Sequence, residues 1–346
     1  MAPGEVLDTL GMFDAAAGLP EQVEVAAAAA RDLADLPEHD DIENVVVLGM
    51  GGSGIAGDVV ATVAGPFMPV PVVVHKSYSI PNFIGDNTLV LAVSFSGNTE
   101  ETVEAVTDAA AAGGRVVAIT NGGELADLAA EWNAPVVHIG DGIPMPRAAI
   151  GAVAIPPLVV LEQIGLFPGA SSWIDAAVEQ LRKRRDQLIE DGSIAEQLAR
   201  RIGRRIPLVY GGGGIGGLAA VRWKNQFNEN CKIPAFANVL PEMCHNELAG
   251  FGQYGDVTRQ VLHLLELRHE FEHPQIARRF ELVTEAIREA VGEVDTVVAE
   301  GEGLLAQLLD LTIVGDFVTL HRAAQEGVDP GPIPALDDLK AALAQG

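Results

Sequence analysis

The chain has 346 residues, which is long for one domain and comfortable for two. Its residues are 48% hydrophobic and 20% charged, a composition that argues against disorder and allows a large buried core. The formal net charge of −26 argues against a nucleic-acid-binding surface, because phosphate backbones bind to basic faces. Any anionic ligand must therefore be held by local groups that act against a repulsive overall field.

The cysteines and the apolar tracts indicate where the protein works. Two cysteines, Cys231 and Cys244, are too few for a disulfide framework, and the acidic start at residues 1–5 is unlike a signal peptide. The longest apolar tract, 148–167, contains Pro156 and Pro157 and predicts a buried helix rather than a membrane span. We therefore expect a cytoplasmic protein without a membrane partner.

The first half of the chain alternates helical and apolar segments. Residues 1–42 are amphipathic and rich in alanine, which predicts helices packed on the outside of the first domain. Five short apolar runs follow, at 45–48, 70–74, 89–93, 115–120 and 135–139. Continuous apolar strands that alternate with helices are typical of a parallel sheet covered on both faces. The pattern predicts a doubly wound α/β domain over about residues 40–165.

Two loops of this domain each follow a strand and precede a helix: the glycine-rich stretch 49–54 and the hydroxyl-rich stretch 94–102. The first N–H groups of a helix have no partner inside it, so they and the helix dipole attract anions. A plain helix cap needs one hydroxyl, whereas the second loop offers three. We predict a small-phosphate site formed by residues of both loops: Gly51, Gly52 and Ser53 on one, and Ser94, Ser96 and Thr99 on the other.

The second half repeats part of this pattern. A charged helical segment at 173–205, interpreted as a solvated linker, precedes an apolar run at 207–210, a glycine-rich turn at 211–217 and another helical segment. Further strands are predicted at 258–267 and 296–300, and a closing helix at 303–325. We therefore expect two domains, 1–165 and 206–346, joined by a helical linker at 166–205, with the phosphate loop in the first domain alone.

The glycine stretches and one histidine motif each have a rival interpretation. Both glycine stretches fit the dinucleotide fingerprint, which also needs an acid at the end of the next strand. His75 and Lys76 stand there in the first domain, and the region 231–236 in the second has no acid, so we disfavour a nicotinamide or flavin cofactor. The stretch 269–273 matches a zinc motif, but Pro274 follows directly, and we interpret it as a solvated loop without metal.

A carboxylate and a histidine in the second domain are candidates for proton transfer. Glu229 lies between two asparagines, and His245 precedes a third. A partly buried carboxylate can act as a base, and a histidine titrates near the operating pH. Taken singly, Glu229 is better explained by a helix-end salt bridge to Lys232 or Arg222, and His245 by a hydrogen-bonded core histidine. The pair, together with a phosphate loop, favours an enzyme.

Four stretches together resemble the bifunctional phosphoglucose/phosphomannose isomerase family, whose members consist of two sugar-isomerase (SIS) domains. They are Gly-Met-Gly-Gly-Ser-Gly at 49–54, Ser-Phe-Ser-Gly-Asn-Thr-Glu-Glu-Thr at 94–102, Asn-Glu-Asn at 228–230 and Pro-Glu-Met-Cys-His-Asn-Glu at 241–247. The likeness runs from about residue 40 to the C-terminus. The resemblance implies two flavodoxin-like domains and the interconversion of glucose or mannose 6-phosphate with fructose 6-phosphate, without a metal or redox cofactor.

The resemblance also implies residue roles. Glu229 would move the proton between C1 and C2, His245 and Lys340 would assist opening of the sugar ring, and Arg147 would steady the enediolate. In the family this histidine comes from the other subunit, so the resemblance implies a homodimer. The region around Ile333 lacks a hydroxyl, which makes activity on the mannose epimer the less expected of the two. A non-catalytic sugar-phosphate sensor is the alternative, since SIS domains also occur in regulators.

Overall fold

A computed structural model of the chain describes residues 7–31 and 33–343. The described residues form two compact units. The first unit contains residues 18–31, 33–183 and 300–310, and the second contains residues 7–17, 184–299 and 311–343. The division into domains at residues 165 and 205 stays a prediction.

The strands, in chain order, are β1 (Asn44–Leu48), β2 (Val72–His75), β3 (Thr88–Ser94), β4 (Arg115–Thr120), β5 (Val136–His138), β6 (Ile206–Gly212), β7 (Phe236–Leu240), β8 (Leu262–Arg268) and β9 (Glu293–Val298). The α-helices are α1 (Met12–Ala17), α2 (Leu19–Arg31), α3 (Gly51–Val59), α4 (Glu100–Ala111), α5 (Gly123–Glu131), α6 (Ile150–Ile164), α7 (Ala170–Leu188), α8 (Ile194–Ile202), α9 (Gly213–Cys231), α10 (Gly255–Val261), α11 (Pro274–Ile287), α12 (Leu304–Glu326) and α13 (Pro334–Leu343).

The sheet of the first unit is parallel, with strand order β2-β1-β3-β4-β5. This is the flavodoxin-like order of a doubly wound fold, as the sequence predicts. Every residue of β3 is buried, and β1 is buried from Val45 onward. Apolar residues fill both faces of these central strands because helices cover the sheet on both sides.

The apolar tract at 148–167 forms α6, which is confirmed as a buried helix that contains Pro156 and Pro157. It packs against α2, where the side chain of Gln22 donates to the carbonyl of Ala148 at 2.9 Å and accepts from the N–H of Ala152 at 3.1 Å. The predicted helices within residues 1–42 fall in different units. Helix α2 belongs to the first unit and α1 to the second. Residues 1–6 and 32 lie outside the described residues.

The sheet of the second unit is also parallel, with order β7-β6-β8-β9, so the same topology is built twice. Strand β7 is not predicted from the sequence, because it is an edge strand in a mixed environment and its alternation is weak. The predicted strand at 258–267 is wrong over its first four residues. These residues belong to α10, and β8 begins at Leu262.

The predicted linker at 173–205 forms α7 and α8, and its interpretation as solvated is wrong. Helix α8 buries Leu198 and Ile202, and α7 buries Ile174 and Leu181. The side chain of Arg184 in the basic run is itself buried. The apolar stripe of these helices is not evident from the sequence, because polar residues outnumber the apolar residues around each helix.

Helix α9 is fixed against the part of α12 that lies in the second unit. The guanidinium of Arg222 donates to both carboxylate oxygens of Asp316, at 2.9 and 2.8 Å, and the amide of Gln226 donates to one of them at 2.6 Å. Both charged side chains are less than 10% exposed. The indole of Trp223 donates to the carbonyl of Leu311 at 2.7 Å. This network holds α9 against α12 close to the last turn of α9, which ends at Cys231.

Among the described residues, α12 is the one helix long and apolar enough to cross a membrane. Of its apolar window, 89% is buried inside the protein. That degree of burial is typical of a core helix.

Replacing Asp316 by alanine leaves Arg222 buried without its carboxylate. We expect the variant to lose about 3–5 kcal/mol of unfolding free energy, because a buried charge stripped of its partner is costly. The urea midpoint, followed by circular dichroism, measures the loss. The matched control is Glu281→Ala, which breaks an exposed pair with Arg278 and should cost less than about 1 kcal/mol. Equal midpoints for the two variants would contradict the assignment.

Candidate functional site

The two predicted phosphate loops lie at the carboxyl edge of the first sheet. One follows β1 and the other follows β3, which are hydrogen-bonded neighbours. Strand β2 lies on one side of β1 and strand β3 lies on the other, so the strand order reverses between β1 and β3. Ligands of open α/β sheets bind at such a switch point.

The serine loop is closed by its own hydroxyls. Ser94 is fully buried, and its hydroxyl accepts from the N–H of Gly97 at 3.1 Å and lies 3.0 Å from the hydroxyl of Thr99. Thr99 caps α4 by position, while Ser96 is exposed at the loop surface and accepts from the N–H of Asn98 at 3.2 Å. The hydroxyl of Ser94 therefore braces the loop, and Ser96 and Thr99 are its more accessible hydroxyls.

Ser53 joins the two loops. It lies in the first turn of α3, is buried, and its hydroxyl accepts from the N–H of Phe95 at 2.9 Å. The glycines around it permit close approach of backbones: a Cβ on Gly49 would lie 2.8 Å from the carbonyl oxygen of Val93. Gly51 has a φ of +51° and open space beside it. The structure thus brings the six predicted phosphate-binding residues to one edge of one sheet.

Arg147 lies beside the same glycine loop. It belongs to a short 3₁₀ helix, Pro146–Ala148, and is only 3% exposed. A Cβ on Gly52 would lie 3.0 Å from the carbonyl of Pro146 and 3.1 Å from the N–H nitrogen of Arg147. Glycine at position 52 is what lets this segment pack against the start of α3, and it places a buried cation next to the predicted phosphate loops.

The glycine loop of the second sheet is closed by side chains of its own unit. A Cβ on Gly212 would lie 2.7 Å from Ile276, 2.9 Å from Phe280 and 3.3 Å from a carboxylate oxygen of Glu272. An anion there would meet the charge of Glu272, which is held by Arg268 at 2.7 Å. This closure disfavours an anion at the second glycine loop, and a phosphate loop in the first half alone stays a prediction.

The zinc motif at 269–273 is not a solvated loop throughout, so that interpretation is wrong in part. His269 is buried and its Nε2 lies 3.0 Å from the carbonyl oxygen of Gly212. His273 is exposed and caps α11, which begins only at Pro274. The two histidines therefore do not share a helix face, which the zinc motif requires.

The region 231–236 is the wrong place to look for the acid of a second dinucleotide fingerprint. The strand after the second glycine loop is β7, which ends at Leu240, and an acid, Glu242, follows two residues later. The absence of an acid at 231–236 therefore does not argue against a dinucleotide at the second glycine loop. The closure of this loop by Ile276 and Glu272 is the better argument against a bound pyrophosphate.

Glu229 lies in the last turn of α9 and is half-buried. Its two neighbours are structural: Asn228 donates to the carbonyl of Ile233 at 2.9 Å, and Asn230, fully buried, donates to the hydroxyl of Thr319 at 2.9 Å. Arg222, one of the two suggested salt-bridge partners, is instead paired with Asp316. The Asn-Glu-Asn motif thus anchors the helix end on both sides of the carboxylate.

Lys232 ties the same helix end to the segment that precedes α13. Its ammonium donates to the carbonyls of Glu229 at 2.9 Å, Asp329 at 2.8 Å and Pro330 at 3.1 Å. Burial alone would raise the pKa of Asp329, but hydrogen bonds from Thr9 and Gly331 and the charge of Lys232 outweigh it and lower that pKa. The carboxylate therefore stays ionised and shapes the turn beside Glu229.

His245 and Lys340 are both exposed. His245 ends a short 3₁₀ helix, Glu242–His245, that follows β7, and Lys340 lies on α13. Glu229, His245 and Lys340 thus lie on three separate elements of the second unit. Tyr210 and Glu247 have no predicted role, although Tyr210 is buried in β6 and its hydroxyl donates to the carboxylate of Glu247.

Comparison with known proteins identifies the family. A model of the bacterial phospho-glucose isomerase C-terminal SIS domain matches residues 192–343, and a model of the SIS domain matches residues 40–132. A bifunctional phosphoglucose/phosphomannose isomerase from Caldicellulosiruptor bescii is 34% identical over 341 residues, covering 96% of this chain and 99% of the relative. The chain belongs to the bifunctional phosphoglucose/phosphomannose isomerase family.

Further relatives and a solved structure are similar to this chain. A bifunctional phosphoglucose/phosphomannose isomerase from Thermoplasma acidophilum is 33% identical, covering 86% of this chain and 88% of the relative. A D-glucosamine-6-phosphate 4-epimerase from Sulfolobus acidocaldarius is 30% identical over 62% of this chain and 66% of the relative. A hypothetical protein from Thermus thermophilus shares the fold, with a TM-score of 0.77, 16% identity and coverage of 97% of this chain and 91% of the other.

Gly97 tests the serine loop directly. It has a φ of +72°, and a Cβ there would lie 1.7 Å from the carbonyl oxygen of Gly122, so Gly97→Ala must displace the loop. We expect the affinity for inorganic phosphate, measured by calorimetry, to fall at least about tenfold. The control is Gly142→Ala, which has a similar positive φ and open space, and should keep wild-type affinity. Unchanged affinity in Gly97→Ala would remove the loop from the phosphate site.

Proposed function

We propose that the protein interconverts glucose 6-phosphate, and also mannose 6-phosphate, with fructose 6-phosphate through a cis-enediolate. The observation that carries this proposal is the match to bifunctional phosphoglucose/phosphomannose isomerases over nearly the whole length of both chains. The accessible hydroxyls of the serine loop, which is joined to the glycine loop through Ser53, support a phosphorylated substrate. The curated relatives carry enzyme names, which gives no support to a non-catalytic sensor.

The phosphate of the substrate is held by the two loops of the first sheet. Accessible hydroxyls at Ser96 and Thr99, and N–H groups at the starts of α3 and α4, supply donors to the phosphate oxygens. Ser94 and Ser53 keep the loops in shape. Binding energy from this remote, non-reacting group positions the reacting carbons.

Glu229 carries the proton in the proposed mechanism. As a base it removes the proton from C2 of the open-chain aldose and returns it to C1 of the enediolate. General base catalysis of this kind contributes about 10²–10⁴-fold. The anchored helix end, with Asn228 and Asn230 engaged in structural hydrogen bonds, supports the role because a base must hold its direction.

Arg147 stabilises the developing charge in this proposal. A cation that is 3% exposed acts in a medium of low dielectric, where its effect on an enediolate oxygen is larger than in water. Proton transfer with electrostatic stabilisation needs neither a metal nor a redox cofactor. We therefore assign none to the reaction.

The two epimers are handled by the same base. Glucose and mannose 6-phosphates differ only at C2, and that carbon becomes planar in the enediol. A pocket that tolerates rotation about the C2–C3 bond lets Glu229 act on either epimer. The names of the relatives support activity on both, although Ile333 offers no hydroxyl near the turn at Asp329 and Pro330.

His245 and Lys340 assist ring opening, and we propose that His245 acts in the site of a second copy within a homodimer. Support comes from the exposure of His245, which leaves its ring accessible to a partner chain. A cytoplasmic location is proposed because both cysteines are free, as thiols are in a reducing compartment.

Wild-type protein assayed in the presence of a chelator should form fructose 6-phosphate from both aldose phosphates. Glu229→Gln should lower the rate by about 10²–10⁴-fold, because the amide cannot accept the proton. A coupled spectrophotometric assay measures both. Glu281→Gln, an exposed substitution in the same unit, is the control and should leave the rate unchanged. The proposal fails if neither aldose phosphate is turned over, or if Glu229→Gln keeps the wild-type rate.

Mixing two inactive variants tests the dimer. If His245 acts across the interface, a hybrid of Glu229→Gln and His245→Ala subunits contains one intact site. Random exchange of subunits should then restore about a quarter of the wild-type activity. Activity is measured after co-refolding equal amounts of the two proteins. No recovery, with hybrid dimers demonstrated by mass spectrometry, would place His245 in the site of its own chain.

A further inference from the structure

The segment that carries His245 is anchored by apolar side chains on both sides of the histidine. Met243 is fully buried, and Cys244, Leu248 and Phe251 pack against the core of the second unit. His245 and Asn246 are exposed between these anchors. The segment therefore projects two polar residues from a fixed base.

Glu247 adds a polar anchor two residues after His245. Its carboxylate accepts from the hydroxyl of Tyr210 and from the amide of Asn238, the latter at 2.6 Å. Tyr210 on β6 and Asn238 on β7 are direct cross-strand partners, so the two donors stand side by side at one level of the sheet. Within the segment, the N–H of Glu247 donates to Asn246 Oδ1 at 2.6 Å, which restrains the backbone between His245 and Glu247.

The buried phenol of Tyr210 does not require a charged hydrogen-bond acceptor such as the carboxylate of Glu247. Tyr210 needs a single neutral acceptor, whereas a partly buried carboxylate costs desolvation. Burial, and next the hydrogen bond to Glu247, raise the pKa of Tyr210, so the phenol stays a donor throughout the neutral range. Two donors on two carboxylate oxygens fix the rotation of the group, which one neutral contact would not do.

We infer that Glu247 is a positioning residue, clamped by Tyr210 and Asn238, that holds the direction of His245 for opening of the sugar ring. The inference rests on the proposed function. A misplacement of about 1 Å in a group that acts on the substrate costs up to about 10²-fold in rate. Glu247 touches the protein rather than the substrate in this role, and it acts through the histidine.

Glu247→Gln keeps the shape of the side chain but offers one acceptor oxygen to two donors. We expect kcat for cyclic glucose 6-phosphate to fall by about 10- to 100-fold. Affinity for an acyclic sugar-acid phosphate, which resembles the open-chain enediolate and needs no ring opening, should stay within about threefold of wild type. A coupled rate assay measures kcat, and calorimetry measures the affinity for the analogue. The control is Glu289→Gln, at an exposed position that pairs with Arg259.

Tyr210→Phe removes one donor and leaves the carboxylate in place, so it serves if Glu247→Gln does not fold. It should lower kcat by a smaller factor, and the double variant should lose less than the product of the two single losses, since both break the same contact. A Glu247→Gln enzyme with wild-type kcat overturns the inference. Equal losses of kcat and analogue affinity also overturn it, because they indicate a merely structural role. No turnover by the wild-type protein would instead remove the proposed function, and the inference with it.

Discussion

The buried ion pair between Arg222 and Asp316 is the constraint on which the second unit depends. Two charges less than 10% exposed, joined by two hydrogen bonds and a third from Gln226, allow α9 one position against α12. Asn230 and Thr319 repeat the connection one turn farther on. Glu229 lies between these fixed points, so its direction is set by the packing of two helices rather than by a loop. The proton transfer proposed for Glu229 needs a carboxylate whose direction is fixed in this way.

The two sheets share one topology, but different residues surround the glycine loops that follow β1 and β6. After β1 the glycine loop is open at Gly51 and lies against the serine loop through Ser53. After β6 the equivalent loop is covered by Ile276 and by the carboxylate of Glu272, which disfavours an anion. The two halves of the duplicated fold therefore differ at the loop for which phosphate binding is proposed. In the second unit the residues proposed for proton transfer and ring opening lie on a helix end, a short 3₁₀ helix and α13.

The first sheet can be predicted from the sequence to within two residues at every strand end, because buried parallel strands are continuous apolar runs. The edge strand β7 escapes prediction since Asn238 interrupts its apolar pattern. The end of α10 resembles a strand because Val261 is followed directly by the apolar residues of β8. The positions of the two candidate phosphate loops after β1 and β3 can be predicted from local motifs. The pairs that position the other residues cannot, since Arg222 and Asp316, or Tyr210 and Glu247, are joined only by the fold.

Proton transfer by Glu229 is the central claim, and isotope incorporation tests it most directly. Fructose 6-phosphate is converted in D₂O, and the glucose 6-phosphate formed is examined by nuclear magnetic resonance for deuterium at C2. Proton transfer by Glu229 predicts deuterium at C2 in the wild-type product, because the base exchanges its proton with solvent while the enediolate is bound. It also predicts that Glu229→Gln forms this product about 10²–10⁴-fold more slowly. Wild-type formation of aldose phosphate with no deuterium at C2, and the same product at the same rate from Glu229→Gln, would contradict it.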